Sequence, residues 1–440
     1  MQNLIKNLKL KRRAIARLAA MHFYGNPSAG LKIVGVTGTN GKTTTAELLY
    51  KVALNLGYRA GFIGTTRIMI NEEELKMDRK IPTTPDVLAL NKIFTEMVEK
   101  NCEYVFMEVS SHAMDQSRVA GTNFVGGIFT NLSQDHLDYH KSMENYFRAK
   151  KKFFQMLPAT AFALSNADDE HGSLMLEGIK AKKFSYGFDE NPKARDRGIS
   201  PIPCFGEKYF YGKILKSDFN GLKLEINGDK IHSNLLGKFN AYNLLAVYGA
   251  CELLGFDMGK VKKMLENIEP PRGRFEHFTS ADGILGIIDY AHSPDALEKV
   301  LLTIAEIIPT KKEILVDTEE PKKNKIICVF GCGGDRDPLK RRIMGRIGAS
   351  LSDVPIFTSD NPRSEDPEKI IAEMKTDLSV SLAEKVETIP NRREAIIEAV
   401  KLAESGDVIL LAGKGHEDYQ EIAGIKHHFN DMEELKKALE

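Results

Sequence analysis

The run Gly35-Val36-Thr37-Gly38-Thr39-Asn40-Gly41-Lys42-Thr43-Thr44-Thr45 constrains the fold more than any other segment of the chain. It follows an apolar stretch at 31–34 and precedes Ala46, Leu49, Val52, Ala53 and Leu56, which recur at helical spacing. The order is strand, glycine-rich loop, helix, as at the opening turn of a parallel α/β sheet. In such a loop the backbone N–H groups and the positive helix end face phosphate. Lys42 would reach the terminal phosphates and Thr43 would offer a hydroxyl to Mg²⁺, so the chain is expected to use ATP. The glycines stand at 35, 38 and 41, whereas the general phosphate-loop pattern has its first glycine at the position of Val36.

A chain of 440 residues exceeds one compact core and suggests two or three domains. Sixty-one basic residues balance 61 acidic ones, so no overall field recruits nucleic acid or an anionic membrane, and neither is an expected partner. The five cysteines, at 102, 204, 251, 328 and 332, are odd in number and form no Cys-x-x-Cys pair, which fits reduced thiols in a cytoplasm. Cys328 and Cys332 read as flanking the end of a buried strand. The basic start MQNLIKNLKLKRR leads into a short segment carrying Arg17, so neither an export signal nor a membrane span is expected. Its Lys/Arg run reads as the solvated face of a terminal helix.

Apolar runs alternate with helical patterns nearly throughout, which argues a mostly parallel sheet covered on both faces. Residues 1–30 read as a helix and turn. Residues 31–268 form a first block, a P-loop mononucleotide-binding ATPase domain, with strands at 31–36, 104–107, 125–129 and 161–164 and a helix near 241–254. Between 191 and 228 short alternating runs, such as 209–215, suggest antiparallel strands at a sheet edge. The sequence Glu269-Pro270-Pro271-Arg272-Gly273 cannot continue a helix and marks the domain boundary. Residues 269–440 then read as a smaller Rossmann-like α/β domain, with strands at 285–289, 326–330, 355–358 and 408–412. The charged stretch 311–325 reads as an exposed excursion.

Several clusters carry chemistry. Glu108 ends the run Tyr104-Val105-Phe106-Met107, where a carboxylate beside a phosphate loop can ligate Mg²⁺. Asn131-Leu132-Ser133-Gln134-Asp135-His136-Leu137-Asp138-Tyr139-His140 is followed ten residues later by Lys150. Gly237-Lys238-Phe239-Asn240-Ala241-Tyr242-Asn243 presents two amides suited to a base edge or, equally, a helix start. Downstream stand Arg274, Asp289-Tyr290-Ala291-His292, Gly331-Cys332-Gly333-Gly334-Asp335-Arg336, Asp360-Asn361-Pro362-Arg363 and Gly413-Lys414-Gly415-His416-Glu417-Asp418-Tyr419-Gln420.

The GTNGKT core and its glycine offset, with the Asp-His-Leu-Asp cluster and Ala-Lys, resemble the Mur ligase family and its relative folylpolyglutamate synthase. DNPR followed by GKGHEDYQ resembles the branch of Mur ligases that adds meso-diaminopimelate. The resemblance, from about residue 23 to 429, implies an ATP-dependent amide ligase that acts through an acyl phosphate in peptidoglycan precursor synthesis. It implies catalytic Lys42, Glu108, His136 and Lys150, with Lys150 carbamylated by CO₂ and joining Thr43, Glu108 and His136 as Mg²⁺ ligands. A neutral amine gains an anionic oxygen in this way. ATP would be held by Gly38, Thr39, Asn40, Gly41, Lys42, Thr43, Thr44, Asn240 and Asn243, with Arg274 and Asp289 reaching it from the second domain. Thr83, Thr84, Ser110, Gln116 and Arg118 match the positions holding the UDP-muramoyl dipeptide. Arg336, Asp360, Asn361, Pro362, Arg363, Gly413 and Glu417 match those holding diaminopimelate, whose extra carboxylate suits the Arg363 fork. Such ligases carry a UDP-gripping domain before the phosphate loop, so such a domain supplied in trans is one expectation. A Mur-like ligase for a peptide without UDP, a folylpolyglutamate synthase-like ligase and a non-catalytic binding protein stay open as alternatives.

Overall fold

The computed structural model describes residues 24–76, 82–188, 206–308 and 324–440. The expected helix at 1–30, up to residue 23, and most of the excursion at 311–325 lie outside the described residues, as do Cys204 and the first part of the 191–228 segment.

Strand β1 (Lys32–Thr37) is buried at every position after the first. Both faces of such a strand must be apolar, and they are. Val34 and Val36 belong to one core cluster with Leu48, Phe106, Ile128 and Leu244. Ile33 belongs to another with Phe94, Val105, Phe129 and Phe153. The alternation of the strand thus feeds two layers of helices. Lys42–Asn55 and Lys238–Leu253 supply the first layer, Val87–Glu99 and Met143–Met156 the second. Gly35 is a packing residue within this arrangement: a Cβ there would lie 2.5 Å from Cζ of Phe153.

The remaining strands of this sheet are β2 (Ala60–Ile63), β3 (Ile68–Ile70), β4 (Glu73–Glu74), β5 (Tyr104–Glu108), β6 (Phe124–Phe129), β7 (Phe162–Asn166), β8 (Lys182–Phe188), β9 (Lys208–Asp218), β10 (Gly221–Ile226) and β11 (Asp229–Ser233). Their order is β11-β10-β9-β8-β7-β6-β1-β5-β2-β3-β4. From β9 to β2 neighbouring strands run parallel. The edge pairs β2 with β3, β3 with β4, and β10 with β11 are antiparallel. Because β1 lies between β5 and β6, the chain leaves it at a topological switch point, where open α/β sheets bind ligands beyond the carboxyl ends of their strands.

The chain divides into two units, with the main boundary between Ile268 and Glu269 and the short segment Ser217–Gly221 grouped with the second. The second unit has a six-stranded sheet of β12 (Glu276–Thr279), β13 (Leu285–Asp289), β14 (Ile326–Phe330), β15 (Val354–Phe357), β16 (Glu387–Thr388) and β17 (Val408–Ala412), in the order β12-β13-β17-β14-β15-β16. All pairs are parallel except β12 with β13. A hairpin, β18 (Tyr419–Ile422) with β19 (Ile425–His428), follows β17. Among the described residues Cys102, Cys251, Cys328 and Cys332 are free and buried, and no helix is long and apolar enough to cross a membrane.

Candidate active site

The loop between β1 and the helix Lys42–Asn55 is shaped by two glycines. Gly38 has φ 154°, and a Cβ there would sit 1.9 Å from Oγ1 of Thr130. Gly41 has φ 82°, where a Cβ would meet Oδ1 of Asn243 at 2.5 Å. The residues just after β6 hold the loop from the side. The Asn40 N–H donates to Oδ1 of Asn131 (2.9 Å), and Nδ2 of Asn131 and Oγ1 of Thr130 donate back to the Asn40 carbonyl. Thr39 N–H donates to the Asn131 carbonyl. Lys42 arches over the loop and donates to the carbonyls of Gly38 (3.0 Å) and Thr39 (2.7 Å). Thr44 is buried in the first helical turn.

Thr43 points to the neighbouring strand. Its Oγ1 donates to Oε1 of Glu108 (2.9 Å), the last residue of β5, which also accepts the Thr65 N–H (2.7 Å). A buried hydroxyl against a buried carboxylate at a phosphate loop is a set of hard oxygen donors that fits Mg²⁺. Among the described residues no three His, Cys, Asp or Glu side chains converge as a ready-made metal site.

The same glutamate joins the loop to a second set. Oγ1 of Thr84 donates to the Glu108 carbonyl (2.8 Å) and accepts the Ser110 N–H (3.1 Å). Thr83 accepts from Thr65 (3.0 Å). Arg118 donates to the Thr84 carbonyl (2.8 Å) and, through Nε and Nη2, to Oε1 of Gln116. Thr83, Thr84, Ser110, Gln116 and Arg118 therefore form one network with Glu108 at its centre.

Lys150, on the helix Met143–Met156, is fully buried and donates to the Gly38 carbonyl at 2.5 Å. Burial, and then the positive charge of Lys42, hold its amine well below the usual lysine range. Its Nζ lies 4.5 Å from the centre of the Tyr146 ring. His136 lies on the same ring, 6.2 Å between centroids, so Tyr146 stands next to both predicted residues. His136 has a left-handed backbone (φ 52°) and a half-exposed imidazole 3.4 Å from Oδ2 of Asp135. His112 packs edge-on against it at 4.8 Å.

Asn240 and Asn243 are both buried. Nδ2 of Asn243 donates to Oδ1 of Asn240, Nδ2 of Asn240 donates to the Leu236 carbonyl, and Oδ1 of Asn243 accepts from Thr45. In this arrangement their amides brace the underside of the phosphate loop at Gly41.

In the second unit the loops after β13, β14, β15 and β17 gather at the carboxyl end of the sheet. Arg274 stacks on Tyr290 at 4.8 Å. Asp289 accepts the Phe275 N–H, and burial, opposed by Arg274, pushes its carboxyl up to about 6. Nδ2 of Asn361 donates to Oε2 of Glu417 (2.8 Å), and Asp360 accepts the Asn361 N–H. Gly413 must be glycine: φ is 110°, and a Cβ would meet Oδ2 of Asp360 at 2.7 Å. Pro362 leads into Arg363, which has φ 52°, donates to the Gly334 carbonyl (2.6 Å) and lies 3.6 Å from Oε2 of Glu421. Arg336 is exposed on the loop after β14. Reading from sequence does not single out Thr65, Thr130, Asn131, Tyr146, Tyr290 or Lys414 as site residues. Asn131, Tyr290 and Lys414 lie inside recognisable motifs, and Thr130 and Tyr146 lie beside them.

Residues 36–251 match the Mur ligase middle domain and residues 273–415 the Mur ligase, glutamate ligase domain. The chain is 48% identical, over 96% of its length and 80% of the relative's, to UDP-N-acetylmuramoyl-L-alanyl-D-glutamate--2,6-diaminopimelate ligase of Parabacteroides distasonis. A solved structure of a ligase with the same name is 33% identical, with TM-score 0.63, and the match covers 93% of this chain and 78% of that one. The Mycobacterium tuberculosis folylpolyglutamate synthase complexed with ADP shares the fold, with TM-score 0.67 at 18% identity, over 93% of this chain and 95% of that one. With its phosphate loop, its Thr43–Glu108 pair and these relatives, the chain belongs to the Mur ligase family of ATP-dependent amide ligases.

Proposed function

We propose that the chain joins meso-diaminopimelate to the D-glutamyl residue of UDP-N-acetylmuramoyl-L-Ala-D-Glu. The γ-phosphoryl group of ATP passes to the side-chain carboxylate, giving an acyl phosphate and ADP. The acceptor amine then attacks the acyl carbon, phosphate leaves, and the amine gives up a proton as the amide forms. The observation that carries this reading is the double use of Glu108. Its carboxylate meets Thr43 of the phosphate loop, and its carbonyl meets Thr84 of the network assigned to the dipeptide, which supports a phosphoryl donor and recipient that would share this residue.

Positioning and charge stabilisation supply most of the catalysis in such a transfer. Lys42 supplies positive charge at the terminal phosphates. Mg²⁺ held by Thr43 and Glu108, and a second by His136 and Lys150, would neutralise charge on the phosphoryl oxygens. Lys150 is suited to CO₂ addition because its amine is buried against the Gly38 carbonyl, where burial disfavours the charged form, and a carbamate formed on it would supply an anionic oxygen ligand. Asn240, Asn243, Arg274 and Asp289 are assigned to ATP. Arg363, with Arg336, Asp360, Asn361, Gly413 and Glu417, is assigned to the acceptor, because a guanidinium fork separates diaminopimelate from lysine by its extra carboxylate. The test is phosphate release with ATP, Mg²⁺ and the UDP-linked dipeptide, adding diaminopimelate or lysine. Release that requires both substrates and favours diaminopimelate supports the reading. Equal use of lysine overturns the acceptor assignment.

A further inference from the structure

A lysine with no exposed surface stands at the centre of the second unit's loop cluster. Lys414 has 0% exposure, and its ammonium faces three oxygens: Oδ1 of Asn361 at 3.3 Å, Oε2 of Glu417 at 3.4 Å and the Tyr419 carbonyl. Three donors meet three acceptors, so the cation is matched rather than stranded. The backbone is built to turn this side chain inward, because Lys414 lies between Gly413 (φ 110°) and Gly415 (φ 52°), both in the left-handed region.

The contacts on Glu417 are one-sided. Oε2 accepts from both Lys414 and Nδ2 of Asn361, while Oε1 accepts no hydrogen bond among the described residues. Asn361 is equally committed, since its Oδ1 also accepts the Glu421 N–H at 2.8 Å. One oxygen of the carboxylate is thereby fixed, and the direction of the other follows.

We propose that Lys414 is a positioning residue for acceptor recognition: it anchors Oε2 of Glu417 and so presents Oε1 to the ammonium end of the incoming amino acid. This rests on the assignment of the pocket to diaminopimelate. Lys414 touches no reacting atom, so its loss acts on acceptor affinity and leaves phosphoryl transfer alone.

The test is a double-mutant cycle of Lys414→Met and Glu417→Gln in the full chain, with KM for diaminopimelate, KM for ATP and kcat measured for each, and thermal unfolding to verify folding. Lys414→Met is expected to raise the diaminopimelate KM about 30-fold, the scale for removing one partner of a buried charge pair, while ATP KM stays within about 2-fold. In the Glu417→Gln background the same change should have little further effect, because its target carboxylate is gone. Additive effects, or equal losses for ATP and acceptor, would mean a purely structural lysine and overturn the proposal. If Lys414→Met does not fold, Lys414→Gln, which removes the charge and keeps a polar end, gives the same readout. A wild type that makes no amide with diaminopimelate sinks the functional reading and this proposal together; a working wild type with an unchanged KM in the variant sinks this proposal alone.

Discussion

Replacing Lys150 by methionine separates stability from activity in a way that ordinary core truncation does not. Lys150 is buried, its amine makes one hydrogen bond, to the Gly38 carbonyl, and among the described residues no carboxylate forms a close ion pair with it, the attraction of Asp135 being outweighed by burial and by Lys42. Exchanging such a poorly compensated charge for an apolar chain of similar length is neutral or stabilising by about 1–4 kcal/mol. Losing the hydrogen bond costs about 1 kcal/mol, so Lys150→Met should fall between about 1 kcal/mol less stable and about 3 kcal/mol more stable than wild type. The pH dependence has a definite sign. The folded-state pKa is depressed, so the unfolded chain binds the extra proton between the depressed value and the ordinary lysine value of about 10.4. The penalty is fully present below the folded pKa and is relieved as pH rises toward the unfolded value. Wild type should therefore gain stability relative to Lys150→Met between pH 7 and pH 9. The chain has no tryptophan, so urea unfolding followed by far-ultraviolet circular dichroism, in bicarbonate-free buffer, is the suitable assay. A variant less stable than wild type by about 2 kcal/mol or more, as in a cavity-forming truncation, with parallel pH curves, would refute the reasoning.

Lys150→Ala should lose most turnover, and formate or acetate should restore part of it by supplying the missing oxygen ligand; full activity without added carboxylate speaks against the carbamate. Arg363→Ala should weaken diaminopimelate use by about 30-fold or more while ATP affinity holds, measured as separate KM values. Asp431→Ala should strand the guanidinium of Arg392, which is fully buried and paired to Asp431 at 2.6 and 2.8 Å, and should destabilise the second unit by about 3–5 kcal/mol in urea. A loss under about 1 kcal/mol would show that the pair carries no such weight.

The strands β13, β14 and β17 are legible to the residue because each is an apolar run bounded by polar or glycine positions. Strand β8 escapes such a reading, since Lys182-Lys183-Phe184-Ser185-Tyr186-Gly187-Phe188 mixes charge, serine and glycine, and only the fold reveals that Phe184, Tyr186 and Phe188 are buried in one core cluster. In the site, the phosphate loop is legible because its chemistry is local in sequence. The partners of Glu108 are not, for Thr65 lies 43 residues away and reaches it only across β2 and β5. Lys414 shows the same limit: Asn361, which it contacts, is 53 residues distant, and nothing in a glycine-flanked lysine foretells complete burial. Asn240 and Asn243 suggest a base edge by their chemistry alone. Their burial, and the use of their amides within the protein, appear only in three dimensions.

The acyl phosphate is tested most directly by isotope transfer. The D-glutamyl side-chain carboxylate of the UDP-linked dipeptide is labelled with ¹⁸O and incubated with the wild-type chain, ATP, Mg²⁺ and meso-diaminopimelate, and the released phosphate is analysed by mass. Activation of that carboxylate requires one labelled oxygen in each phosphate formed with the amide. Unlabelled phosphate accompanying amide formation would contradict the account.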